Sequence, residues 1–149
     1  MTEATFRARA FPSVALAAGA TFVVAGVLNT AGVFSEVAIH WTNWLIGFAF
    51  AAVAIAIVFG VFVRRASRSP DRAWRTGLVL GVLGVLTVWA YWSGLPPIFG
   101  FGAIYLGLLC RQEAASSKAR RLGVGSALLG IFGLTLYVVI YVGDIATRV

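Results

Sequence analysis

Four long apolar stretches and one short one divide the chain, and every connection between them is brief and polar. Phe11 to Phe34, Trp41 to Val63, Gly77 to Leu95 and Leu122 to Val142 contain no Asp, Glu, Lys, Arg or His. The same is true of Pro96 to Cys110, which has only 15 residues. Each of the four long runs meets the requirement of about 20 residues for a helix crossing a hydrocarbon core of about 30 Å. As a helix the short run reaches about 22 Å at 1.5 Å per residue. Local thinning of the bilayer, or a tight hairpin with the third run, accommodates it. The pattern predicts an all-α integral membrane protein. The fold is a single-domain bundle (1–149) of five transmembrane helices at about 11–34, 41–63, 77–95, 96–110 and 122–142, the fourth short.

Charge sets a direction on these spans. Arg7 and Arg9 precede the first run, Arg64, Arg65, Arg68, Arg72 and Arg75 follow the second, and Arg111, Lys118, Arg120 and Arg121 follow the fourth. Of twelve basic residues only Arg148 lies elsewhere. Lys and Arg concentrate in the short cytoplasmic loops of membrane proteins, so the N-terminus is expected inside and the C-terminus outside. Trp41, Trp44, Trp89, Tyr91, Trp92 and Tyr141 then fall at the outer interface, where amphipathic rings prefer to sit. The first run is long for a signal peptide and is read as a retained span. The Ala-, Gly-, Val- and Arg-rich composition suggests a bacterial source, and hence the cytoplasmic membrane.

Composition agrees with the pattern. The chain is 60% hydrophobic and 11% charged, whereas soluble domains are about half apolar and about a quarter charged. A net charge of +7 would suggest nucleic acid in a soluble protein. Placed in short loops beside apolar runs, it points instead to anionic lipid headgroups at the cytoplasmic face. Arg64, Arg65, Arg68, Arg72, Arg75, Arg120 and Arg121 are the headgroup candidates, and no nucleic-acid partner is expected.

In lipid, apolar burial does not drive helices together, so small residues that let backbones approach matter more. Small residues four apart occur at Ala15 and Gly19, at Ala52, Ala56 and Gly60, at Gly77 and Gly81, and at Ser126 and Gly130. They are candidate packing positions within the bundle or between copies of it.

Chemistry-bearing residues are few. Without ionisable groups inside the spans, the chain lacks the embedded carboxylate of a proton-coupled transporter and the arginines of a voltage sensor. A single His cannot supply a bis-His haem site, and no cofactor is expected. Glu36 and His40 share a helical face by their spacing. With Asp144, beyond the last span, they are candidates for binding a divalent cation or relaying a proton. Asn29, Thr30 and Thr87, with Trp44 and Trp92, are candidates for lining a polar cavity. No nucleophile elbow, phosphate loop or dinucleotide glycine pattern occurs. Cys110 stands alone at the inner end of the fourth run.

In length, number of apolar runs and tryptophan content the chain is similar to the tryptophan-rich sensory proteins. The connection from Ser35 to Trp41 (SEVAIHW) lacks that family's Pro- and Trp-rich motif, so the likeness ends at composition. The expected function is non-enzymatic, as an accessory subunit with a protein partner or as a self-associating membrane scaffold. The alternative is a small channel, transporter or lipophilic-ligand binder.

Overall fold

The computed structural model describes residues 14–21, 23–24, 41–114 and 116–147, of which 41–48, 91–92 and 145 are described for the backbone only. Among these residues there are five helices and no strand. Helix α1 is helical at 14–21 and 23–24. Helix α2 runs Trp41–Ile57, widens into a π-helical stretch at Val58–Val63, and ends with Arg64–Ala66. Helix α3 is Pro70–Leu86, continued by a 3₁₀ stretch at Thr87–Ser93. Helices α4 and α5 are Leu95–Glu113 and Ser117–Ala146.

Three stretches are long and apolar enough to cross a membrane, Ala49–Ala66, Pro70–Ala90 and Ser117–Asp144, and no more than 33% of each is buried. The remainder exposes large apolar side chains, including Leu86 (64%) and Val139 (60%). A soluble domain would fold that surface inward.

The helix ends follow local rules. Ser69 is extended (φ −147°, ψ 129°), Pro70 takes the first helical position, and Asp71 lies in the first turn, where a carboxylate suits the helix dipole. The amide of Ala119 donates to Ser116 Oγ at 3.1 Å, which caps α5. Between α3 and α4 the chain turns at Gly94, whose φ of 70° favours a residue without a Cβ. Ser93 Oγ braces that turn, donating to the Ala90 carbonyl at 2.6 Å and accepting from the Leu95 amide at 3.3 Å.

Two segments differ from their sequence expectation. The third apolar run is not one regular helix, since α-geometry stops at Leu86 and Ala90 has non-helical angles (φ −102°, ψ 44°). The stretch after Leu86, Thr87-Val88-Trp89-Ala90-Tyr91-Trp92, is rich in β-branched and aromatic residues that favour helix weakly. The fourth segment is longer than its apolar run. Its helix has 19 residues, Leu95–Glu113, and so extends about 28 Å. It is also the most protein-enclosed element, with Pro96, Ile98, Ala103, Leu106 and Cys110 all buried.

Enclosure of α4 depends on glycine. Gly107 lies against Gly123, Ala103 against Ser126, and Gly100 against Gly130, so α4 and α5 run antiparallel with backbones nearly touching. A Cβ at Gly130 would stand 2.6 Å from the Gly100 carbonyl oxygen, and one at Gly107 would stand 2.7 Å from the Ala127 nitrogen. Helix α3 runs parallel to α5, with Gly77 on Ser126 and Gly84 on Gly133. Ser126, fully buried, donates its hydroxyl to the Ala103 carbonyl at 2.9 Å. Helix α2 joins this trio through its C-terminal half, where Val58 and Val63 pack toward Gly102. Ala18 of α1 completes the buried cluster.

Overpacking a filled site costs about 1–3 kcal/mol, and here the obstacle is backbone. Gly107→Ala and Gly130→Ala are expected to lower the thermal midpoint of the detergent-solubilised protein by several degrees. Gly125→Ala, where nothing lies within 4 Å of the added Cβ, is expected to hold or raise it, since Ala favours helix by about 1 kcal/mol over Gly. Equal midpoints for all three variants would remove glycine contact as the basis of the packing.

Candidate functional site

Two helix hairpins, α2–α3 and α4–α5, turn at the same end of the bundle. Their loops are adjacent, because the Cys110 thiol at the base of α4 donates to the Pro70 carbonyl at the start of α3, at 3.4 Å. Nine cations collect there: Arg64, Arg65, Arg68, Arg72, Arg75, Arg111, Lys118, Arg120 and Arg121, all exposed. Asp71 and Glu113 are the carboxylates described at this end. Each long stem leaves apolar helix surface and carries its charge outward, as amphipathic side chains do at an interface.

Several contacts give this end its form. The Arg75 guanidinium carbon lies 5.2 Å from the centroid of the Trp74 ring, within cation–π range, while Trp74 packs against the buried cluster. Arg120 Nη2 donates to the Ala114 carbonyl at 3.4 Å, supplying a partner and a positive charge to the C-terminal end of α4. Ser67 Oγ donates to the Arg64 carbonyl at 2.9 Å, closing α2 in the same manner. The arrangement suits many weak contacts with anions.

Among the described residues, the candidates for other chemistry are not brought together. Asn29, Thr30, Glu36 and His40 lie outside the described residues, and the side chains of Trp44 and Trp92 are not described. Thr87 donates its hydroxyl to the Leu83 carbonyl of its own helix at 2.7 Å. Thr135 does the same to Ile131 at 3.0 Å. Threonine within a helix satisfies itself in this way, so neither hydroxyl is directed into a shared polar space. Asp144 is half-buried in the last turn of α5. Among the described residues no three His, Cys, Asp or Glu side chains come together as metal ligands.

The packing candidates fall on different surfaces. Gly77 and Gly81 face α5, meeting Ser126 and Leu129, and Gly130 faces Gly100. Gly19 approaches Ile55 of α2, with 3.7 Å from its added Cβ to Cδ1, and Ala15 packs on the same cluster. Ala52, Ala56 and Gly60 are exposed, and nothing lies within 4 Å of a Cβ at Gly60. Spacing by four from another small residue picks out Gly107 (with Ala103) and Gly123 (with Ala119 and Ala127) but not Gly84, Gly100 or Gly133, and all five make close contacts. Spacing by seven takes in all five, in Gly77 and Gly84, Gly100 and Gly107, Gly123 and Gly130, and Ser126 and Gly133. Helices that keep one seam against a partner repeat every seven residues.

Cys110 is fully buried, which withdraws its sulfur from any reagent or acylating enzyme outside the folded bundle. In the folded protein, a water-soluble maleimide is expected to leave Cys110 unmodified for as long as the native far-ultraviolet spectrum persists, and to label it stoichiometrically after denaturation. Fast labelling of the native protein would show that the base of α4 opens. Comparison of the chain with protein-family models, curated proteins and solved structures returned no match.

Proposed function

We propose that this chain is a five-span protein of the bacterial cytoplasmic membrane, N-terminus inside and C-terminus outside, and that it acts as an accessory subunit or self-associating scaffold. One observation carries the membrane reading: apolar side chains are exposed along the length of the helices while nine cations are gathered at one end. That distribution matches a hydrocarbon layer bounded on its inner side by basic loops. The 28 Å length of α4 matches the core thickness to within a turn, which supports its being a span although its own run of apolar residues is short.

The non-enzymatic reading is supported by how polar groups are placed. Ser126 is the sole Ser, Thr or charged residue that is fully buried among those whose side chains are described, and it is occupied in joining α4 to α5. Association with another polypeptide is supported by the exposed Ala52, Ala56 and Gly60 face of α2, where a second helix backbone has room to approach.

Membrane residence and partnership are tested separately. Alkaline carbonate extraction is expected to leave the chain in the membrane pellet. Ser69→Cys and Ser116→Cys, each in a Cys110→Ala background, are expected to react with an impermeant maleimide only in inside-out vesicles. Native mass spectrometry after gentle extraction is expected to show a second polypeptide or a homo-oligomer. A bare 15.8 kDa chain carrying a small molecule would move the assignment to a lipophilic-ligand binder.

A further inference from the structure

The glycine contacts fix the relative heights of three helices, and those heights place arginines from separate parts of the chain at one level. Gly77 stands on Ser126 and Gly84 on Gly133 across the parallel pair α3 and α5. Stepping back equally along both helices brings Arg72 level with Arg121. Gly107 stands opposite Gly123 on the antiparallel pair α4 and α5. Arg111, one turn past Gly107, therefore comes level with Ala119, about 3 Å along the axis from Arg121. All three arginines are exposed, and each comes from a different helix of the trio. Arg75, on its Trp74 ring, sits about one turn toward the apolar side of this level. Arg68 and Lys118 lie beyond it.

We propose that Arg72, Arg111 and Arg121 form a collar that binds the phosphate groups of several anionic phospholipids around the inner end of the bundle. Guanidinium groups fit phosphate oxygens with two parallel hydrogen bonds, and three exposed arginines on three helices offer three such sites at one level. The apolar surface directly above the collar, including Val79 and Leu108, accepts the acyl chains of the same lipids. Asp71 and Glu113 are the carboxylates described at this end and lower the local potential without balancing nine cations. Trp74, packed on the buried cluster beside Arg75, holds the collar at headgroup depth. The proposal rests on the membrane reading above, yet it fails separately: a chain retained in the membrane without lipid preference would refute the collar alone.

The test is titration of the detergent-solubilised protein with phosphatidylglycerol or phosphatidylcholine, counting retained lipids by native mass spectrometry. Wild type is expected to retain several phosphatidylglycerol molecules and to prefer them to phosphatidylcholine, with affinity falling as salt rises. About 1 kcal/mol per cation near an anionic surface corresponds to roughly fivefold each. The triple variant Arg72→Gln, Arg111→Gln, Arg121→Gln is therefore expected to lose about a hundredfold in phosphatidylglycerol affinity. The corresponding triple Lys variant keeps the charges and is expected to retain most of the preference. If the Gln variant does not fold, the salt dependence of wild type and the behaviour of the Lys variant decide the matter. Equal retention of the two lipids by wild type overturns the proposal. Inorganic phosphate competing away phosphatidylglycerol at equal concentration overturns it too, by showing that the arginines recognise a free anion.

Discussion

The bundle depends on backbones that come nearly into contact. Where the solvent is hydrocarbon, apolar side chains gain little by leaving it for one another, and association rests on dispersion, interhelical hydrogen bonds and close fit. The glycines of α3, α4 and α5 supply the close fit, and Ser126 adds one directional bond between α4 and α5. The rest of the architecture follows from this trio. Helix α4, whose uninterrupted apolar run is short, lies at the centre, enclosed by its neighbours. The two basic loops are brought together because the helices that carry them cannot separate. Helix α2 is attached mainly through its C-terminal half, and its small-residue face remains open.

The apolar runs made the helices legible but marked their ends poorly. Hydropathy reports which residues suit hydrocarbon, whereas a helix ends where its backbone hydrogen bonds end. Helix α3 begins at Pro70, ahead of the apolar run from Gly77, because Ser69, Pro70 and Asp71 form a helix start in polar sequence. Helix α5 likewise extends past its apolar run at both ends, Ser117–Ala146. The break after Leu86 was hidden because a run of Val, Trp and Tyr is as apolar as the helix before it, and hydropathy is insensitive to a change in backbone angles.

The candidate sites were legible to different degrees. The basic end could be read directly, since short loops between antiparallel helices must bring Arg64 to Arg75 near Arg111 to Arg121. Packing positions were only half visible. A search for small residues four apart finds Gly77, Gly81, Ser126 and Gly130 but also selects Ala52, Ala56 and Gly60, which face outward. The seven-residue interval recovers Gly84, Gly100, Gly107, Gly123 and Gly133, as a seam returning to the same side after every second turn should. It passes over Gly81, however, and also takes in the exposed Gly60 with Ser67, so neither interval alone separates the two groups. A polar cavity could not be inferred from Thr87, since the residue type alone does not reveal that its hydroxyl is used by its own helix.

The π-helical stretch at Val58–Val63 sets a limit on how this chain can change length. There the Arg64 amide reaches back five residues, to the Phe59 carbonyl, so the helix accommodates one more residue than regular winding allows. Removing a single residue from this stretch would restore regular winding with the flanking segments still facing the same way, whereas removing one from the regular part of α2 would turn everything before it by about 100°. In the second case the part of α2 before the deletion would present another side to its surroundings, while the arginines at the other end of α2 stayed in place. Within α2 the π-helical stretch is thus the place where a one-residue deletion can be absorbed. A lineage that lost a residue elsewhere in the helix would have to remake the contacts of the part before it.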